Sequence, residues 1–366
     1  MNSLLRRFKD EIADGHVLGP VRVALGALLG WHALRAAAEL EQLGYFGDFL
    51  HVAMVPEALV PSRDLYAVLL ALRVVLAVMV IFGVWARPAL AASALLGVWL
   101  LLCDRLQFQQ DLYSLYGYAL LLSLTPCDRS WRAMDGAVLA PRPGPFWGVR
   151  LAQVQISIMY LASGGAKLLD PDWRSGIVLA DRFTRHVHVA VAAGVPRRLV
   201  DALAQLDVAS AVAKVAIMSE LVICAALWVR PTRVVALWWG MWLHLVIQLT
   251  TDVGTLTLLT LAMYGVFATP DYHARAIRFD PTRFWGKVAR SFVPLFDWFG
   301  RFEVKPWEPD DHPGHSVVVV RRDGERVTGV RALAMIARCV PVLFPLWAPL
   351  ALAASFTRHG DLTTAT

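Results

Sequence analysis

The sequence predicts an all-α polytopic membrane protein, a bundle of about eight transmembrane helices with a small α/β-like C-terminal tail. Three observations predict it. Of the 366 residues, 57% are hydrophobic and only 17% are charged, and the mean hydropathy is +0.52, so the chain holds more apolar surface than a soluble core of its length uses. Apolar runs reach the roughly 20 residues that a helix needs to cross a bilayer, and most end in Trp, Tyr, Arg or Pro, as interfacial anchors do. After residue 270 the composition changes to a basic, aromatic stretch of mixed character.

Three regions follow: a lead over residues 1–16, a membrane region over 17–270 and a tail over 271–366. The lead, MNSLLRRFKDEIADGH, is polar and amphipathic, without the short apolar core and small-residue cleavage site of a secretory signal, so the first span is expected to stay attached. Apolar length against flanking charge places spans near 17–38, 65–86, 89–107, 112–126, 146–167, 208–229, 233–250 and 254–270, the fourth short. Arg6, Arg7, Lys9, Arg87, Arg129, Arg132, Arg142, Arg230, Arg233, Arg275, Arg278, Arg283, Lys287 and Arg290 then all fall on one side. The positive-inside rule makes that side cytoplasmic, with both termini there and the protein integral to the cell membrane. Glu39, Glu41, Asp48, Glu57 and Asp64 make the first external loop acidic. The segment from about 168 to 207 carries Arg174, Arg182, Arg185, Arg197 and Arg198 beside its aspartates, and long loops follow the charge rule weakly. It is the largest external feature and a natural cap over a site.

In the tail, HSVVVVRRDGERVTGVRALAMIARCV reads as a hairpin with an Asp-Gly turn followed by a helix. The last apolar run, VPVLFPLWAPLALAASF, holds three prolines and is expected to be interfacial or packed on the tail, with a ninth span as the alternative. The formal charge of +6 does not point to nucleic acid, because the arginines sit at span ends rather than in a cluster interleaved with aromatics. Cys103, Cys127, Cys224 and Cys339 are far apart and form no C-x-x-C, so no disulfide framework, redox pair or metal site is indicated.

Arg73, Lys214, Glu220 and His244 fall inside expected spans, where each costs about 2.5 kcal/mol or more unless paired or facing water. Lys214 and Glu220 are six positions apart, about 120° around one helix, so the partner of Glu220 must come from another span or from solvent. The tight turn VRPTRV makes the sixth and seventh spans a helical hairpin and puts Glu220 and His244 at a similar depth, about 14 and 16 Å from that turn. They are expected to border one polar cavity, with His244 and Gln248 on one face. The competing reading makes Glu220 half of a buried structural pair, His244 a packing histidine and Arg73 a counter-charge. Lys167, at the outer end of the fifth span, either snorkels to the headgroups or serves as a base.

GAKLLDPDW, PCDRSWRAMD, RLAQVQISIMYLASGGAKL and SELVICAALWVRPTRVVALWWGMWLHLVIQL together resemble the vitamin K-dependent gamma-carboxylases and their bacterial relatives, the horizontally transferred transmembrane (HTTM) domain proteins, over about residues 18–270. The resemblance implies a membrane-embedded enzyme acting on a quinol or a peptide at the extracytoplasmic side, with vitamin K hydroquinone or another quinol as the molecule bound. It implies Lys167, Glu220 and His244 as catalytic candidates, and Asp170, Asp172, Trp173 and Lys214 as substrate contacts. In the carboxylases two adjacent lysines precede Leu-Asp-x-Asp-Trp and the second is the base. Aligned through Asp170, Asp172 and Trp173, Lys167 matches the first lysine and Leu168 occupies the base position, so gamma-carboxylation itself is not implied. The alternative is a non-enzymatic maturation, immunity or scaffold factor that binds a peptide or lipid in the same cavity. A transporter is weaker, because no inverted repeat is visible. Residues 316–356 resemble the C-terminal half of the DCC family of thioredoxin-like proteins, and the part that would hold their cysteine pair is absent, so an inherited redox activity is not expected.

Overall fold

The computed structural model describes residues 12–13, 15–39, 53–103, 108–131, 144–251, 253–268, 275–308, 314–321 and 323–357. Arg6, Arg7, Lys9, Glu41, Asp48, Arg132 and Arg142, on which part of the charge argument stands, lie outside them. The chain is mostly helical and divides into two units, residues 1–225 with 243–270, and residues 226–242 with 271–366.

The first unit contains α1 (Gly15–Glu39), α2 (Arg63–Phe82), α3 (Ala86–Cys103), α4 (Gln110–Ser123) and α5 (Trp147–Leu169). Four short helices follow, α6 (Pro171–Ser175), α7 (Ile177–Arg185), α8 (Val187–Ala192) and α9 (Arg197–Leu203). Then come α10 (Leu206–Ala226), α11 (Arg230–Thr250), whose first half groups with the second unit, and α12 (Leu256–Met263), continued as a 3₁₀ turn Tyr264–Phe267. Helices thus stand at all eight positions where spans are expected. Four of them, α1, α2, α3 and α10, are long and apolar enough to cross a membrane. The 23-residue α5 and 21-residue α11 are as long but carry more polar side chains, and α4 has 14 residues.

Helix ends in the first unit sort into two groups. At one end the fully buried Arg22 of α1 donates to the carbonyls of Ile81, Cys127 and Trp131, and Arg87 Nε donates to the Ser123 carbonyl. At the other, His32 Nε2 lies 2.7 Å from Thr255 Oγ1, which donates to Asp111 Oδ2 at the start of α4. Each group ties carbonyls or loops that would otherwise lack partners away from water. A two-residue antiparallel bridge joins β1 (Ile12–Ala13) to β2 (Gly144–Pro145).

Small residues set the helix spacing. A Cβ on Gly97 of α3 would lie 2.2 Å from the Tyr116 ring of α4, and Tyr116 in turn accepts from the buried Arg73 of α2 at 2.5 Å. Arg73 therefore meets a phenol, which it also faces at 5.6 Å from the ring centroid, rather than a carboxylate.

The expected external loop is helical. Three of its four short helices, α7, α8 and α9, close over a small core of Phe183, Ala190 and Val200. The turn into α7 needs Gly176, which has φ +86° and would put a Cβ 2.3 Å from the Ser210 nitrogen.

The second unit holds more sheet than the expected hairpin. β5 (Val317–Val320) and β6 (Arg326–Thr328) form that hairpin, and α14 (Gly329–Cys339) follows as expected. Residues 275–305 add a β–α–β unit, β3 (Arg275–Phe279), α13 (Phe284–Phe296) and β4 (Phe302–Lys305), whose parallel strands need such a crossover helix. The strand order is β4-β3-β5-β6. Ile277, Phe279 and Val319 of the sheet form one core with Val293 of α13 and Ala332 and Ile336 of α14. The sequence reading passed over β3 because its Arg-Ala-Ile-Arg-Phe run is short and flanked by arginines. The final apolar run is a 3₁₀ turn, Pro341–Leu346, and α15 (Trp347–Phe356). It is apolar but shorter than the four helices that are long enough to cross a membrane, and the Trp238 indole of α11 donates to the Pro345 carbonyl.

The turn that opens α13 is held by Asp280, whose carboxylate accepts from the Thr282 backbone and hydroxyl and pairs with Arg283 at 3.2 Å. The Thr282 hydrogen bonds, more than Arg283, hold its carboxyl below the usual range. A depressed carboxylate stabilises the fold above its unfolded value, about 4, and that contribution is lost as pH falls through the lower folded value. Hydrogen exchange of residues 284–290 is therefore expected to quicken below about pH 4, and Asp280→Asn to quicken it already at neutral pH and flatten the acid response.

Gly97→Ala is expected to destabilise the first unit by about 1–3 kcal/mol through overpacking, measured by thermal unfolding in detergent. Gly117→Ala, on the same helix as Tyr116 but with no atom within 4 Å of its added Cβ, is expected to be neutral or to stabilise by up to about 1 kcal/mol.

Candidate functional site

One face of α5 carries Gln153, Ser157, Tyr160, Ser163, Gly164 and Lys167. Their spacing of three or four residues puts them in one line along the helix. All but Ser163 and Lys167 are buried, so the line faces neighbouring helices rather than lipid. Gln153 donates to the Val266 carbonyl at 2.8 Å, and Ser157 donates back to the Gln153 carbonyl.

Higher along α5, the Tyr160 hydroxyl meets His244 Nε2 of α11 at 2.6 Å and also bonds the Tyr264 hydroxyl. The three rings meet edge to face, with Tyr160 and His244 centroids 5.9 Å apart and His244 and Tyr264 centroids 6.5 Å apart. Thr257 of α12 donates to the His244 carbonyl, which ties the two elements together below the ring.

Two turns further on, Lys167 Nζ donates to Ser163 Oγ at 3.0 Å and to Glu220 Oε1 of α10 at 2.5 Å. The side chains are 19% and 7% exposed, so this is a largely desolvated ion pair. Gly164 allows it: a Cβ there would lie 3.0 Å from the Leu221 side chain and 3.2 Å from the Glu220 Cβ. The missing side chain lets α5 and α10 approach, as small residues do between membrane helices. Lys167 is thus turned toward a buried carboxylate instead of reaching for headgroups, and the charge of Lys167 is felt at His244.

The second carboxylate oxygen, Glu220 Oε2, is buried and has no hydrogen-bond partner among the described residues. A buried carboxylate oxygen without a donor is costly. The site can therefore accept one further hydrogen-bond donor there.

Trp173 closes the outer side, with Lys167 Nζ 5.1 Å and the Arg182 guanidinium 5.3 Å from its ring centroid. Asp170 caps α6, its carboxylate accepting from the Asp172 backbone at 2.9 Å. Asp172 is exposed and contributes its carbonyl to Ser175. Lys214 lies on an exposed face of α10, apart from the other candidates. Leu168 is 45% exposed.

Lys167, Glu220, His244 and Trp173 therefore meet around one helix face, Asp170 and Asp172 shape the turn beside it, and Lys214 does not join them. Sequence reading missed Tyr160, Ser163, Gly164 and Tyr264. The signal was present in QVQISIMYLASGGAK, where polar and small residues recur at helical spacing. Among the described residues no group of three or more His, Cys, Asp or Glu is placed to hold a metal ion.

Gly164→Leu is expected to separate α5 from α10 and break the ion pair, lowering the unfolding midpoint of detergent-solubilised protein. Gly165→Leu, where nothing lies within 4 Å of the added Cβ, is expected to leave the midpoint within the range of ordinary surface changes, about 0.5 kcal/mol.

No curated protein and no solved structure matches the chain. The model of one family, the HTTM domain, matches residues 11–272, a stretch that takes in α1 through α12 and every residue of the site. The chain is a membrane protein that belongs to the HTTM domain family.

Proposed function

We propose that this protein is an enzyme of the carboxylase-related branch of membrane proteins, acting on a quinol or a peptide from the extracytoplasmic side, with Lys167 and Glu220 as its acid–base pair. The single observation that carries this reading is the open oxygen of Glu220 beside a desolvated Lys167. A proton passing from the Lys167 ammonium to Glu220 along their hydrogen bond leaves a neutral amine, which can take a proton from a bound hydroxyl or C–H acid. Tyr160, His244 and Tyr264 offer a chain of exchangeable protons alongside. A hydroxyl donor such as a quinol suits the open acceptor at Glu220; its deprotonation by the neutral Lys167 amine would give an anion that dissolved dioxygen can oxidise, two electrons and two protons passing from quinol to oxygen to leave quinone and hydrogen peroxide. Trp173 and Arg182 would cover the entrance.

The position expected to hold the carboxylases' base carries Leu168, which has no titratable group, while Lys167 is hydrogen-bonded to the carboxylate. That arrangement favours Lys167 as the base of this chain. It leaves the reaction open to other acceptors than a glutamyl side chain.

Eight spans, both termini cytoplasmic and a place in the cell membrane complete the reading. The alternating helix ends of α1 to α5 support it, as does the length of α5 and α11, which carry polar side chains both inside the site and at the α11 start, where Arg230, Thr232 and Arg233 lie. α4 and α12 would cross as short elements covered by neighbours.

A second reading has its own support: Gly164 and the ion pair clamp α5 to α10 whether or not anything binds, which suits a maturation, immunity or scaffold factor holding a peptide or lipid. Paired substitutions separate the two. Lys167→Met or Glu220→Gln alone is expected to cost about 3–5 kcal/mol by stranding its partner, and Lys167→Met with Glu220→Leu to recover most of it. If the pair is catalytic, the recovered double variant still fails to oxidise added hydroquinone with dissolved dioxygen as the electron acceptor, followed by absorbance, and loses any quinone that mass spectrometry finds in the purified wild type. Full consumption by the double variant would sink the enzymatic reading.

A further inference from the structure

We infer that the C-terminal unit docks on the anionic surface of the membrane through the outer face of α13. The observation is a helix with two apolar faces. At about 100° per residue, Gly286 and Val293 share one side of α13, and both are buried, Val293 in the core beneath the sheet and Gly286 so close to Asp280 that a Cβ would meet its carbonyl. Phe284, Val288 and Leu295 fall on the opposite side, within about 40° of one another. They are 70%, 40% and 67% exposed, and Trp285 beside them is 68% exposed. One side of the helix holds the sheet, and the other shows large apolar side chains to the surroundings.

Charge selects the occupant. Lys287 and Arg290 are exposed on the flank between the two faces, and neither has an ion-pair partner among the described residues. The helix itself contains no acidic residue. The carboxylates at its ends are engaged, Asp280 with Thr282 and Arg283, and Asp297 with the backbone of Arg301 and Phe302. A Phe/Trp/Leu face bordered by unpaired basic residues is the pattern of helices that lie in the headgroup region of anionic leaflets.

Connectivity supplies the second argument. The unit begins at Ala226, the last residue of α10, a helix long and apolar enough to cross a membrane, leaves at Trp242 and resumes at Asp271, at the end of the matched HTTM stretch. Three covalent junctions, after residues 225, 242 and 270, keep it at high effective concentration beside a bilayer, so a modest apolar and electrostatic gain is enough to hold it there. The choice of the cytoplasmic leaflet rests on the positive-inside reading, whereas docking on a bilayer does not depend on the chemistry proposed for Lys167.

The test uses the full chain in nanodiscs, with Trp285→p-benzoylphenylalanine as a photocrosslinker and mass spectrometry of the adducts. Lipid adducts are expected to dominate, and to rise about thirtyfold when phosphatidylglycerol is mixed into phosphatidylcholine, from about 1 kcal/mol for each of the two basic residues. Lys287→Glu with Arg290→Glu is expected to abolish that rise. Adducts mainly to this chain, to a second copy or to another protein would overturn the proposal. So would an absence of adducts, or equal lipid yields in the two bilayers. Leu295→p-benzoylphenylalanine gives the same readout from the far end of the face should the Trp285 variant fold poorly.

Discussion

Ionisable and polar groups cannot stand in hydrocarbon without partners, and α5 carries a line of them from Gln153 to Lys167. The helices of the first unit are arranged to answer that line: Val266 receives Gln153, His244 and Tyr264 receive Tyr160, and Glu220 receives Lys167. α10, α11 and α12 are thereby fixed to α5 at successive levels by side-chain chemistry as well as by packing. This follows from the weak hydrophobic drive between helices in lipid, where close packing and interhelical hydrogen bonds determine which faces meet.

Not all the buried charges are of one kind. Arg22 is wholly covered and spends its guanidinium on three backbone carbonyls at the ends of helices and turns. Arg73 does the same with a phenol whose ring also fills the space that Gly97 leaves. Both have donors directed at fixed acceptors, and a planar, permanently charged fork suits that task. Glu220 differs, because one oxygen meets Lys167 and the other meets nothing among the described residues. A group that served packing alone would be cheaper with both oxygens satisfied. Within this one carboxylate an engaged oxygen and an open one stand side by side, and the open one is what the candidate site offers to a further donor.

The helical positions and the hairpin of the second unit were legible because apolar length and an Asp-Gly turn are local signals. Glu220 and His244 stood out as expensive residues, and the partner of Glu220, expected from another span or from solvent, is Lys167 of α5. What failed to show was anything carried by neutral residues. Tyr160 and Tyr264 look like ordinary membrane tyrosines until their hydroxyls are placed, and Gly164 has no signature separating it from Gly165 although only one of them faces α10. Residues 168–207 read as a loop because their helices run only five to nine residues, below the length at which periodicity becomes visible. β3 and β4 were hidden for a related reason, since parallel pairing joins residues far apart in sequence and leaves no turn between them to recognise.

Hydropathy and function pull against each other along this chain. The helices apolar enough to register as spans by composition, α1, α2, α3 and α10, contribute a single side chain, Glu220, to the cluster around Lys167. Lys167, Tyr160, His244 and Tyr264 come from α5, α11 and the element that continues α12, none of which meets the same standard. α5 misses it although it has 23 residues, because it carries the line of polar side chains Gln153, Ser157, Tyr160 and Lys167, whereas α12 is apolar and misses it by length. A helix that bears buried polar groups gives up hydropathy and depends for its place on close packing and on hydrogen bonds to its neighbours.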